Sequence, residues 1–162
     1  MMRVLLITVF LGVLAPQTVQ GHPESGFLPD SIAETEYRIV LDLNPADNAT
    51  RNKLGIVLMR KGKLREAESQ FREVLRRAPE DFDAHDGMGL VMLRMGRLRE
   101  SVEWFKKAVK LNDRDPMVYY HLGLAFSGMG EKARAIAMYE KSLRLRDSSI
   151  VRKELERIRN DQ

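Results

Sequence analysis

Apolar residues along this chain fall into short helical periods, and the periods themselves recur. From Asn48 onward, every 34 residues hold two apolar-periodic stretches separated by a brief turn. In the first unit Leu54, Val57 and Leu58 mark one helix, Arg60-Lys61-Gly62-Lys63 turns the chain, and Ala67, Phe71, Val74 and Leu75 mark a second helix ending near Pro79. Spacings of three and four residues place each set on one face of a helix. The second unit repeats this with Met88, Val91 and Met92, a turn at Met95-Gly96, then Val102, Phe105, Ala108 and Val109. The third uses Leu122, Ala125 and Phe126, a turn at Gly128-Met129-Gly130, then Ala135, Ile136, Tyr139 and Leu143. Two helices of roughly twelve to fifteen residues joined by a tight turn make an antiparallel helical hairpin. The units run 48–81, 82–115 and 116–149.

Small residues keep the same beat. Gly55, Gly89 and Gly123 recur at the 34-residue interval, as do Gly62, Gly96 and Gly130, and so do Ala67, Ser101 and Ala135 before the rings of Phe71, Phe105 and Tyr139. A glycine inside a helix costs about 1 kcal/mol relative to alanine. Its return in register implies a contact too close for a side chain, and the expectation is that backbones meet at Gly55, Gly89 and Gly123. A period of this length marks a stack of like supersecondary units, none able to bury its apolar face alone.

The flanks extend the stack. Ser31 stands three residues before Glu34, a capping-box spacing that predicts a helix start, and Ile32, Ala33, Tyr37, Val40 and Leu41 give that helix one apolar face. It should stop before Pro45, because the residue preceding a proline is disfavoured in the helical region. At the other end Val151, Leu155 and Ile158 form one stripe over 150–160, opposite Arg152, Lys153, Glu154, Glu156 and Arg157. One apolar stripe backed by a charged face suits a capping helix.

Before the repeats, Met1-Met2-Arg3 leads into twelve apolar residues, Val4 to Ala15. At about 1.5 Å per residue that run is short of a hydrocarbon core about 30 Å thick. A basic start, an apolar centre and a tail of small residues predict a signal peptide over 1–21, cut after Gly21. An uncleaved anchor extended to Val19 is the alternative. Residues 22–30, with two prolines and a glycine, read as a flexible lead-in segment.

Composition narrows the chemistry. The 162 residues suit one domain, with 31% charged and 44% hydrophobic residues. The formal net charge is +4, but 23 acidic residues are interleaved with 27 basic ones, which predicts solvated helix faces and no nucleic-acid surface. With no cysteine there is no disulfide, thiolate metal site or cysteine nucleophile. His22, His85 and His121 lack the three- or four-residue spacing of helical metal ligands. The acidic run Glu80, Asp81, Asp83 and Asp86 lacks calcium-loop spacing and sits where a helix begins, so capping is its expected role. Arg60, Lys61, Lys63, Arg65, Arg72, Arg76 and Arg77 make the first unit the most basic, leaving an anionic partner or membrane surface open. No phosphate loop or catalytic triad has supporting context, so no enzyme, metal or cofactor is expected. Asn48-Ala49-Thr50 fits a glycosylation acceptor in a eukaryotic setting.

Taken together, Leu54-Gly55, Leu58, Gly62, Ala67, Phe71 and Pro79 resemble the tetratricopeptide repeat, a 34-residue unit with a leucine–glycine pair, a later alanine, an aromatic and a closing proline. The second and third units keep the glycine, small and aromatic marks but carry Asp113 and Asp147 where the proline would fall. The family's early tryptophan is replaced by Arg51, His85 and Tyr119. Ala33, Tyr37 and Pro45 stand 34 residues before Ala67, Phe71 and Pro79, so the opening helix resembles half of a degenerate fourth unit.

The resemblance implies an all-α, right-handed solenoid of three repeats over 31–162, with an N-terminal half-repeat and a C-terminal cap. It also implies an inner groove lined by the first helix of each pair. Here that places Asn52, Ile56, Met59, Asp86, Leu90, Leu93, Tyr120, Leu124 and Ser127 inward, with Ile56, Leu90 and Leu124 as an aliphatic line. Some family members clamp an acidic peptide C-terminus with lysines and asparagines. The matching positions here hold Asn52, Ile56, Gly87 and Met117, so that clamp is not expected. The implied function is a non-catalytic scaffold binding a partner's peptide or helix, exported to a periplasm or secreted, in envelope assembly or secretion. The alternative is a membrane-anchored or self-assembling structural subunit.

Overall fold

The computed structural model describes residues 29–160. The expected signal peptide and residues 22–28 of the lead-in segment lie outside the described residues. Among the described residues there are eight helices and no strand. They are α1 (Asp30–Leu43), α2 (Asn48–Arg60), α3 (Leu64–Arg77), α4 (Phe82–Arg94), α5 (Leu98–Leu111), α6 (Pro116–Gly128), α7 (Lys132–Leu145) and α8 (Ser149–Asn160). Each helix packs mainly on its neighbours in sequence, and α2, α4 and α6 also touch one another in order. The architecture is the helical-hairpin solenoid.

Hairpin boundaries follow from local chemistry. An aspartate precedes the first helix of each unit and accepts its free amides: Asp47 from Thr50 at 2.9 Å, Asp81 from Ala84 at 2.8 Å, and Asp115 from Met117 at 2.7 Å. Gly62, Gly96 and Gly130 turn each chain with φ of 75°, 74° and 74°, a left-handed conformation that side chains resist.

The start of α1 departs from expectation. The helix begins at Asp30 after Pro29, without a side-chain cap, so Ser31 lies inside it and caps nothing. Glu34 is instead drawn to Lys61 at 2.6 Å, Lys63 at 2.9 Å and Arg38 at 2.9 Å. Three cations outweigh one amide. Ile32, expected on the buried face, is 51% exposed, while Ala33 and Leu41 are buried.

At the helix glycines the close neighbour is a ring, not a backbone. A Cβ built on Gly55, Gly89 or Gly123 would fall 2.6, 2.3 or 2.3 Å from the rings of Phe71, Phe105 and Tyr139, respectively. Phe71 also presses on Gly87 of the following unit, where a Cβ would lie 2.4 Å away. Each ring is fully buried and pins the second helix of a unit to the first. The apolar core continues through the stack, since Leu90 packs on both of its halves. Val151, Leu155 and Ile158 of α8 close the far end.

Candidate functional site

The contacts from α2 to α4 and from α4 to α6 make the first helices a continuous row. Ile56, Leu90 and Leu124 hold the same place on each, and all three are half-buried. Leu93, Tyr120, Asp86 and Ser127 are half-buried beside them. Half-burial leaves part of each side chain's apolar surface packed on the core and part of it accessible.

Asn52 and Met59 do not line the groove. Met59 is 4% exposed and sinks into the core near Leu41, while Asn52 is 6% exposed and donates from Nδ2 to Asp81 Oδ1 at 2.9 Å. An apolar thioether is more stable in the core than in water. The Asn52 amide is taken by a cap carboxylate already fixed at the next helix.

Asp83, Met117 and His121 are further residues of this face. Asp83 and Met117, the latter 39% exposed, lie three residues before Asp86 and Tyr120 on the same helices. Helical spacing alone would have found them. His121 is different, because its Nδ1 pairs across helices with Asp86 Oδ1 at 2.9 Å, and nothing in the sequence signals that. Its ring lies 5.6 Å from Phe105 and 5.7 Å from Tyr120, which in turn lies 6.1 Å from Tyr139. His85 is also engaged, with Nε2 at 2.8 Å from the Pro79 carbonyl.

The charge on this face is uneven. The Asp83 carboxyl is pushed up by desolvation and then by repulsion from Asp81, Asp86 and Asp115. Asp81 and Asp115 cap the starts of α4 and α6, and Asp83 and Asp86 lie in the first two turns of α4. By contrast, the basic first unit is largely neutralised. Arg60 pairs with Asp30, Lys61 and Lys63 with Glu34, Arg72 with Glu68, and Arg76 and Arg77 with Glu73. A cleft of about 460 Å³ between α2 and α3 mixes Arg51, Arg65, Arg72 and Arg76 with Glu68 and Glu73. Among the described residues no three potential metal ligands cluster, and no helix is long and apolar enough to cross a membrane.

The fold and this face define a helical-hairpin repeat protein with an open inner row. Two family profiles, both described as tetratricopeptide repeat, match residues 52–116 and 118–149. The chain belongs to the tetratricopeptide repeat family. Among solved structures it is similar to TTC0263, a thermophilic TPR protein in Thermus thermophilus, at a TM-score of 0.76 and 20% identity, covering 80% of this chain and 72% of that one. MamA 41-end from Desulfovibrio magneticus RS-1 aligns at 0.69 and 23% identity over 82% and 76% of the two chains. The first TPR of Spaghetti (RPAP3), bound to the HSP90 peptide SRMEEVD, aligns at 0.66 and 19% identity over 70% and 90%. No curated protein sequence matches this chain.

Proposed function

We propose that this protein is a non-catalytic interaction scaffold that holds a helix or extended segment of a partner protein along the row of α2, α4 and α6. The observation that carries this reading is the aliphatic line of Ile56, Leu90 and Leu124, at one repeat position on three touching helices and only half-buried. Rows of this kind suit apolar anchors at regular intervals. The RPAP3 domain, whose structure holds a peptide, supports the general mode. Replacing Ile56, Leu90 and Leu124 together with lysine should abolish partner capture from envelope extracts while leaving the helical spectrum intact. Unchanged capture by the triple variant refutes the groove.

Export is part of the proposal, on the strength of the apolar run Val4 to Ala15 and its flanks. The destination is the periplasm in a Gram-negative cell and the exterior otherwise, with a role in envelope assembly or secretion. A mature protein beginning at His22 by mass spectrometry supports this, and an intact N-terminus argues against it.

A second reading, a self-assembling or membrane-anchored subunit, draws on α1. Ile32, Ile39 and Leu43 are 51%, 55% and 84% exposed along it. A concentration-dependent oligomer that Ile39→Glu disperses would favour that reading.

A further inference from the structure

Because successive helices run antiparallel, the connections between units all fall at one edge of the solenoid, and the turns at Gly62, Gly96 and Gly130 fall at the opposite edge. Seven large apolar side chains are exposed among the described residues, and five of them stand at the connection edge. Leu43, Leu111 and Leu145 end α1, α5 and α7, while Met117 and Ile150 lie in the first turns of α6 and α8. The other two, Ile32 and Ile39, lie on α1, so the glycine-turn edge of the three hairpins exposes none. Ile150 is 64% exposed, and Leu111 and Leu145 are 38% and 36% exposed.

Charge singles out the last two of these connections. Lys110 precedes Leu111 and Arg114 follows it, while Arg144 and Arg146 flank Leu145. All four cations are exposed, and none has a carboxylate within ion-pair distance among the described residues. Of the nearby acids, Asp115 caps α6 and Asp147 is held by Arg152 at 2.6 Å, which leaves Asp113 against four cations. The earlier connections differ, since no cation follows Leu43 before α2, and Arg76 and Arg77 share Glu73. At the glycine-turn edge Arg60, Lys61, Lys63, Arg97 and Arg134 are each paired with a carboxylate. Arg94 and Arg99 are unpaired there, but no exposed large apolar side chain accompanies them. Lys110-Leu111 and Arg144-Leu145 occupy the same repeat position, on two helices that both pack against α6.

We infer that the connection edge of the second and third units rests on an anionic phospholipid surface. Leu111, Leu145 and Ile150 meet the acyl boundary, and Lys110, Arg114, Arg144 and Arg146 lie among the phosphates. The cations are next to or near the leucines in sequence, so both kinds of side chain reach one level. A bilayer surface offers anionic headgroups and hydrocarbon at adjoining depths, and apolar area and charge both add to binding there. The ends of helices present projections to a plane, where a peptide would need a groove. This contact is separate from the row of Ile56, Leu90 and Leu124 and does not depend on what that row holds.

The chain contains no cysteine, so one introduced cysteine carries a polarity-sensitive dye at a single place. The full chain is labelled through Leu145→Cys or, at the opposite edge, through Arg94→Cys. Each is mixed with vesicles of phosphatidylglycerol and phosphatidylcholine in equal parts, or of phosphatidylcholine alone. The dye at 145 should shift to the blue on the anionic vesicles only, and the dye at 94 on neither. Because Val4 to Ala15 is the same in every variant, differences between variants report the edge. Arg144→Gln with Arg146→Gln should weaken vesicle cosedimentation about thirtyfold, at unchanged helical spectrum. Leu111→Ser with Ile150→Ser should weaken it too. Arg94→Gln with Arg99→Gln should change it less than about twofold, since that edge is about 20 Å away and screening acts over about 8–10 Å. No shift at 145, an equal shift at 94, or an equal shift on neutral vesicles overturns the inference, as does unchanged cosedimentation of the Arg144 and Arg146 variant. If a soluble leucine–glutamate peptide shifts the dye at 145 and the vesicles do not, the edge holds an acidic protein and the lipid surface is refuted.

Discussion

The ring of Phe105 occupies the space that a side chain on Gly89 would need, with its Cε1 lying 2.3 Å from where a Cβ would stand. Both residues are buried, so neither can yield without moving a helix. Gly89→Ala should therefore lower stability by about 1–3 kcal/mol from overpacking, outweighing alanine's helix preference of about 1 kcal/mol. The midpoint of urea unfolding measures this. Combining it with Phe105→Leu should recover part of the loss, with a coupling of roughly 0.5–3 kcal/mol in a double-mutant cycle. Strict additivity would mean that the two positions do not share space.

Gly96 is retained for a different reason. Its φ is +74° and nothing lies within 4 Å of a built Cβ, so conformation alone selects glycine. Gly96→Ala should cost about 1–2 kcal/mol, and Gly96→Asn less, since asparagine tolerates the left-handed region. At Gly89 the order should reverse, because asparagine is the larger intruder. Thermal unfolding of the four variants decides it.

Glu34 ties α1 to the first hairpin, and its carboxyl is held down from 4.5 to about 2, chiefly by the hydrogen bonds of Lys61, then Lys63 and Arg38. A carboxyl depressed in the folded state stabilises fully above its unfolded value and loses that contribution as pH falls through the folded one. Acidification from about 4.5 to about 2 should thus release α1 before the rest of the stack. Amide exchange along α1 would report it, and Glu34→Gln should make α1 protection flat across that range. Protection of α1 that persists at pH 2 in the unmodified chain would contradict this account.

Two buried serines should behave oppositely. Ser142 Oγ donates at 2.7 Å to the Pro116 carbonyl, joining α7 to the start of α6, so Ser142→Ala should cost about 1 kcal/mol. Ser101 Oγ donates at 2.7 Å to the Leu98 carbonyl within its own helix, at a place where the other units hold Ala67 and Ala135. Ser101→Ala should be neutral or stabilising by a few tenths of a kcal/mol. Chemical denaturation of each single variant separates the two.

Much of this architecture is legible because a repeat states its own rule three times. Apolar spacing marks all of the hairpin helices, and the return of Gly55, Gly89 and Gly123 in register reports a shortage of room at those places. The pattern points to backbone at that contact and the structure puts a ring there, since spacing reveals a shortage of room but not its cause. At Ser31 and Glu34 a local capping rule loses to cations 27 and 29 residues away, which no short window contains. Phase alone assigns Met59 and Asn52 to the groove, yet one fills the core and the other bonds Asp81.

The sequence by itself determined the number of hairpins, their turns, the helix positions that admit only glycine and the capping stripe of α8. These depend on interactions within one or two helical turns, or on a period that can be counted. Only the tertiary structure decided which inner side chains are half-buried, that His121 meets Asp86, and that Asn52 bonds Asp81. Those outcomes depend on how neighbouring hairpins are set against one another, and side chains from separate units meet only once that packing has been fixed.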